Sequence, residues 1–449
     1  MFFILWEVFV YRDSFRFRRF VVTLLLVFLF VKAMTVAFAD NPPENKIILS
    51  APLTFLDWTL HHGTTDEEGI RYVLQQCKDA GITTIYWRVF DAGFANFKSQ
   101  FADPYSWSEL DKRNHIWGPK TPEDLAVTKK YIANFEEVRE SYIEKFKLQE
   151  MEIDSLLVAC KIAKELGMSI NVWYTLNEDD HGFGMTSRFA LEHPQYVWVR
   201  RDGRKFHSQM SYAYPEVREY KLNLLKELLE YDVDGIFFDW IRTGDVRDDP
   251  QYDENGTADF GYEEINITGF KEKYGVDPRE IPNNDERWVK YRTLGSTIFM
   301  RQAAQLIREN KPDLKISIMV QNPWSYRGFG DKIDGALNGL CLDVETWAGE
   351  KLIDSAVPAG YYRDGGNAKL AYSHLKDLTH GQVDIWLYRW MPRSLDDFND
   401  CIDEANSLGA KQILFWEADY IDRWWGPKEE GGLGIKEEMN QVMGGYAKP

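Results

Sequence analysis

The sequence predicts a single α/β domain, a closed (β/α)8 TIM barrel with long loops after its second and fourth strands, and three observations lead there. Eight short apolar runs with strand character recur along the chain, nearly all flanked by helical segments. A helix–Gly–strand phrase repeats, at Gly81, at Leu166-Gly-Met-Ser169 and at Leu408-Gly-Ala-Lys411. No Gly-x-Gly-x-x-Gly or P-loop stands at any strand–helix junction, which argues against a nucleotide-binding open sheet. Regular strand–helix alternation implies parallel strands joined by right-handed crossovers, and eight such units favour closure.

The first 39 residues are expected to be a signal peptide rather than part of the fold. Arg12, Arg16, Arg18 and Arg19 precede an apolar core over 21–31, and Ala37-Phe-Ala39 is a small-x-small cleavage site before Asp40. That core is short for a membrane span, so export to the periplasm or medium is expected, without stable membrane insertion after cleavage. The leader before the arginines is long and partly apolar, which leaves an uncleaved anchor as the alternative. A linker over 40–46 leads into the barrel, residues 47–449.

The first strand covers 47–55. Thr65-Asp-Glu-Glu68 reads as a capping box. Ile70, Val73, Leu74 and Cys77 then share a helical face, and Gly81 stops the helix. The remaining strands are expected at 83–90, 170–176, 235–241, 315–321, 355–362, 383–390 and 412–417. Two insertions are long. Residues 91–150 follow the second strand, and 243–284, rich in Asp, Asn, Gly and Tyr, follow the fourth and read as a surface loop or lid. Loops after barrel strands lie on the catalytic face.

The chain has 449 residues, 44% of them hydrophobic, enough for one large core. Its formal net charge of −18 argues against a nucleic-acid partner. The four cysteines, at 77, 160, 341 and 401, have no paired short spacing, so neither a zinc site nor a disulfide framework is indicated. Cys77, Cys160 and Cys401 fall in amphipathic helical patterns and read as core. None of the eight histidines forms His-x-His or His-Glu-x-x-His, and no cofactor or metal is implied.

Function is read at the strand ends, which carry a polar and aromatic crown. Arg88 and Asp91 end the second strand; Trp173, Asn177, Glu178 and His181 the third; Asp239 and Arg242 the fourth. Gln321, Asn322 and Trp324 follow the fifth, Tyr361 the sixth, Tyr388 and Trp390 the seventh, and Trp416, Glu417 and Asp419 the eighth. Side chains alternate along a strand, so Phe237 and Asp239 share one face and Ile236 and Phe238 the other. Tyr86 and Arg88 likewise oppose Ile85, Trp87 and Val89. A carboxylate closing an apolar buried strand is costly unless paired or used.

Carboxylates among indoles, phenols, amides and arginines suit an oligo- or polysaccharide, whose rings offer C–H faces and hydroxyls. Glycoside hydrolysis needs one acid to protonate the leaving oxygen and a second carboxylate to attack or to activate water. Asp239 is the first candidate and Glu417 its leading partner, with Glu178 in reserve and Asp419 able to replace Glu417. Trp173, Trp324, Tyr361 and Trp416 are candidates to stack on sugar rings, and Asn177, Gln321, Arg88 and Arg242 to bind hydroxyls. The structural alternative for Asp239 is an ion pair with Arg242 or Arg88. Glu345 reads as structural, on the helix before the sixth strand.

Val233-Asp-Gly-Ile-Phe-Phe-Asp239-Trp-Ile-Arg242 resembles the fourth-strand motif of the glycosyl-hydrolase-like 10 family, bacterial proteins with a (β/α)8 glycosidase fold. His193-Pro-Gln-Tyr196, Arg200-Arg-Asp-Gly203, Tyr214-Pro-Glu-Val-Arg218, Asp343-Val-Glu-Thr-Trp347 and Leu352-Ile-Asp354 are similar to that family's segments in the same order. The resemblance implies an exported carbohydrate-active barrel with an acidic residue at Asp239. Where the family often continues Arg-Tyr-Pro after that acid, this chain has Arg242-Thr-Gly244. A non-catalytic carbohydrate-binding barrel is the rival expectation.

Overall fold

The structure, a computed structural model, describes residues 46–54, 66–91, 93–104, 153–177, 179, 187–203, 205–239, 241, 260–283, 285–320, 342–358, 368–416 and 418–447. The strands in chain order are β1 (Ile48–Leu53), β2 (Thr84–Asp91), β3 (Phe94–Ala95), β4 (Ser169–Thr175), β5 (Val197–Val199) and β6 (Lys205–Met210). They continue with β7 (Gly235–Asp239), β8 (Lys315–Val320), β9 (Ser355–Pro358), β10 (Asp384–Ile385), β11 (Leu387–Trp390) and β12 (Gln412–Trp416). The large sheet runs β10-β9-β8-β7-β4-β2-β1-β12-β11, with every neighbour on that path parallel.

The ring closes through its seventh stave. Residues 383–390, expected as one strand, are two short ones separated by Trp386. Asp384 and Ile385 pair with β9, and Leu387 to Trp390 pair with β12. One continuous stretch therefore joins the two ends of the sheet, and the fold is the predicted (β/α)8 barrel.

Every stave buries both faces. The outer face is aliphatic and aromatic, with Leu49, Ile85, Trp87, Ile170, Val172, Ile236, Phe238, Ile316, Ile318, Ile413 and Phe415 packed beneath the helices. The first helix, α1 (Glu67–Asp79), buries Ile70, Val73, Leu74 and Cys77 as its spacing predicts. Each such side chain contributes about 1.5–3 kcal/mol of apolar transfer. Its cap is Asp66, whose carboxylate accepts from the Gly69 amide at 2.9 Å. The expected capping box is therefore replaced by a single aspartate cap, since the third helical residue, Gly69, has no side chain to bond back. Gly81 follows at φ +75°, and a Cβ there would stand 2.2 Å from the Met443 carbonyl oxygen, so this turn needs glycine for both shape and space.

Helices α2 (Ser155–Glu165), α3 (Arg188–Glu192) and α4 (Pro215–Leu228) follow, with α3 in the connection between β4 and the β5–β6 hairpin. That antiparallel hairpin stands apart from the barrel sheet and was not expected. The insertion after β7 corrects the surface-loop reading. Its described part holds α5 (Glu264–Tyr274) and leads to α6 (Glu286–Arg292), which enclose a small core of Tyr262, Ile267, Phe270 and Trp288. Few of its residues face that core, so its composition reads as polar while its structure is helical. The remaining helices are α7 (Leu294–Asn310), α8 (Val344–Gly349), α9 (Ala368–Leu378), α10 (Leu395–Leu408), α11 (Ile421–Trp425) and α12 (Lys436–Ala447). Among the described residues no helix is long and apolar enough to cross a membrane.

Candidate active site

The barrel interior is built in layers by the inward residues of each stave. At the lower level Gln412 donates to Tyr86 Oη at 2.7 Å and to Ser50 Oγ at 2.8 Å, and Ser355 donates to Ser317 at 3.0 Å. Asn171 fills the same level, and a Cβ on Gly235 would stand 2.4 Å from its Oδ1. Above lie Phe237, Met319, Val357, Trp386 and Leu414, with Tyr86 4.9 Å from Phe237 and 5.4 Å from Trp386 between ring centroids. Burial raises the Tyr86 phenol well above its ordinary pKa, so it serves as a neutral hydrogen-bonding group.

Asp239 stands at the C-terminal end of β7 on this inward face, two residues above Phe237, as alternation predicts. Its carboxylate is 0% exposed and accepts a 3.1 Å hydrogen bond from the Trp173 indole N–H. The register Thr175↔Asp239 and the 2.8 Å bond from the Leu176 amide to the Asp239 carbonyl fix its height against β4. Trp173 is held on both sides. The Arg88 guanidinium lies over its ring at 5.0 Å, and Trp416 meets it edge-on at 5.2 Å. Arg88 thus reaches Asp239's neighbourhood across the indole. Tyr388 packs on Trp416 at 5.7 Å and on Trp390 at 6.1 Å, and Trp390, 47% exposed, carries the aromatic series to the surface.

A register shift in β2 between Arg88 and Phe90 explains how both Val89 and Phe90 lie buried outside the barrel while Arg88 stays inside. Asn177 is buried just beyond β4. Asp419 is buried beyond β12 and accepts from Thr54 Oγ1 at 3.2 Å, which ties the end of the eighth stave to the end of the first. Glu417, Glu178, Arg242, Gln321, Trp324, Tyr361, Asn322 and His181 lie outside the described residues, as does the Asp91 side chain. The structure therefore brings together Asp239, Trp173, Arg88 and Trp416, with Asn177 just beyond the third stave and Asp419 just beyond the eighth. Glu345, on α8, contacts only the exposed His380 at 3.3 Å among its described partners and belongs to the surface.

Three features escaped the sequence reading. Trp386 lines the barrel centre, and the spacing of Trp386, Tyr388 and Trp390 on one strand face could have shown it. Lys221 and Asp179 form a fully buried ion pair at 2.6 Å, with Lys221 4.4 Å above the Phe90 ring and Asp179 accepting from Ser187 at 3.0 Å. A lysine sharing a helix face with Val217, Leu224, Leu225 and Leu228 was the available signal, because such a charge needs a partner. Glu263 is the third. It is fully buried, accepts from the Val199 amide at 3.3 Å and from Asn266 at 3.0 Å, and burial pushes its carboxyl up to about 7. Cys77, Cys160 and Cys401 are buried core thiols as expected, the latter two pushed up to about 12 by burial. Among the described residues no group of three or more His, Cys, Asp or Glu side chains could hold a metal ion.

The family model for glycosyl hydrolase-like 10 matches residues 128–384, more than half of the chain. The chain belongs to that family. The match spans the described strands from β4 to β9, including the Asp239 stave. The fold is similar to that of the PgaB (BpsB) glycoside hydrolase domain from Bordetella bronchiseptica, with TM-score 0.55 at 10% identity over 88% of this chain and 99% of that one. It is similar as well to the catalytic domain of beta-amylase from Paenibacillus polymyxa, with TM-score 0.56 at 11% identity over 90% of this chain and 99% of that one. At such identities the likeness concerns fold alone. No curated protein matches the chain in sequence.

Proposed function

We propose that this family member is a glycoside hydrolase that cleaves O-glycosidic bonds of an oligo- or polysaccharide, with Asp239 as its catalytic carboxylate. The observation that carries the reading is the placement of that group. A carboxylate ends the fourth stave on the inward face, fully buried, and is held by an indole N–H within an aromatic-walled barrel end. Residues at the C-terminal ends of barrel strands supply the chemistry of this fold. A desolvated carboxyl is suited to hold a proton for a leaving oxygen, and a hydrogen-bonded one to act as nucleophile. Glu417 is the proposed partner and Asp419 the alternative, both following the eighth stave. Asn177, Arg88 and Trp416 would contact hydroxyls and ring faces. Because Asp239 is sealed from solvent, productive binding requires the groups covering it to move, a gating step common among enzymes. Residues 1–39 would direct export and be removed, so the barrel, from residue 47 onward, would act in the periplasm or medium.

The same burial favours a second reading, a carbohydrate-binding barrel without turnover. Reducing-end release by the wild type and Asp239→Asn across a glycan panel separates the two. Hydrolysis by the wild type with a loss of about 10²–10⁴-fold in the variant, at an unchanged unfolding midpoint, supports catalysis. Wild-type rates in a variant shown free of deamidation would remove Asp239 from the mechanism, and glycan binding with no hydrolysis by either protein would favour the second reading.

A further inference from the structure

Beyond the barrel end, a second site is built where α10 begins and α11 follows the eighth stave. A cleft of about 420 Å³ is lined by Arg393, Tyr420, Arg423, Trp424, Gly431 and Leu433. That is the size range of small-molecule and sugar sites. The Arg393 guanidinium lies 4.3 Å from the Trp424 ring centroid, a stack that holds the cation at the cleft wall. Trp424 is in turn anchored by its neighbour, since the Trp425 indole donates to the Pro392 carbonyl at 2.7 Å.

Charge is what sets this cleft apart. The chain carries 71 acidic and 53 basic residues, yet neither guanidinium is paired with a carboxylate among the described residues. Acidic groups do exist next door, in an adjoining cleft that Arg423 shares with Asp419, Asp422 and Glu430. Two of them are engaged, Asp422 by Tyr72 and Lys436, and Asp419 by Thr54. The aromatic series that starts at Trp173 beside Asp239 emerges at Trp390, three residues before Arg393.

We infer that this cleft is a remote subsite for an oxyanion-bearing sugar, a uronic acid or sulfated residue of the glycan whose scissile bond lies at Asp239. Planar guanidinium groups suit carboxylate and sulfate oxygens, and the exposed Trp390, at the outer end of the aromatic series, offers a further ring face. The inference rests on the carbohydrate-active reading of the barrel, but its test does not require turnover.

Isothermal titration of the full protein with short oligogalacturonates, their methyl esters and sulfated cello-oligosaccharides supplies that test, run in the wild type and in Asp239→Asn. The expected result is at least about tenfold tighter binding of a charged form than of its neutral counterpart, weakening as salt rises. The carboxylated and sulfated arms decide which oxyanion is preferred. Arg393→Gln and Arg423→Gln should each reduce that preference, with unfolding midpoints unchanged. Arg423 is exposed and makes no described ion pair, so its variant remains informative if Arg393→Gln folds poorly. Equal binding of charged and neutral forms by the wild type, or an undiminished preference in folded Arg423→Gln, would overturn the subsite. Charge-selective binding without hydrolysis of any glycan would instead sink only the catalytic reading.

Discussion

Glu263 offers a quantitative test of how the insertion after the fourth stave is fastened. Its carboxylate is fully buried at the start of α5, where Val199 and Asn266 donate to it. The clasp continues with the Tyr262 amide on the Val199 carbonyl at 3.0 Å, a bridge between Arg200 and Phe260, and Arg201 on Asn283 at 2.8 Å. Desolvation outweighs these donors and raises the carboxyl from 4.5 to about 7. In the unfolded chain the group returns to its ordinary value. Between those two pH values the folded protein holds a proton that the unfolded chain has released. Stability from this group is therefore fully present below pH 4.5 and is lost as pH rises through 7. At 1.36 kcal/mol per unit the loss is on the order of 3 kcal/mol. Urea unfolding from pH 5 to 8 should show wild-type stability falling relative to Glu263→Gln, which has no carboxyl to ionise. The glutamine supplies one acceptor where the carboxylate supplies two, so its absolute stability can sit lower by about 1–3 kcal/mol, and the pH slope is the decisive quantity. Identical slopes in the two proteins would refute the argument.

Two further outcomes follow from the same reasoning. Trp173→Phe keeps the ring and removes the N–H that Asp239 accepts. A charge-assisted bond of this kind contributes about 1.5–3 kcal/mol, so kcat/KM on a hydrolysed glycan should fall by about 10–10²-fold, and an undiminished rate would show that the indole does not position the carboxylate. Lys221→Met leaves Asp179 buried without its cation and should cost about 3–5 kcal/mol in urea unfolding. The double variant Lys221→Met/Asp179→Leu should recover most of that loss, and a strictly additive pair would mean the ion pair does not act as a unit.

The sequence alone determined the barrel, because period-2 apolar runs, helical faces and helix-ending glycines are local signals that tertiary packing here agreed with. It also determined which residues point inward. Once Phe237 faces the centre, alternation carries Asp239 there, and Tyr86 carries Arg88. Which side chains meet across staves is a matter of register and ring closure. The bond from Trp173 to Asp239 depends on the register between β4 and β7, and the Trp173–Trp416 contact on the closure of the ring, neither of which has a local signature. The seventh stave changes hydrogen-bonding partner at Trp386, a consequence of closing the ring that strand propensity does not encode. Buried charges such as Lys221, Asp179 and Glu263 went unread for the same reason, since a charged residue reads as solvated until the fold supplies the partner that lets it be buried.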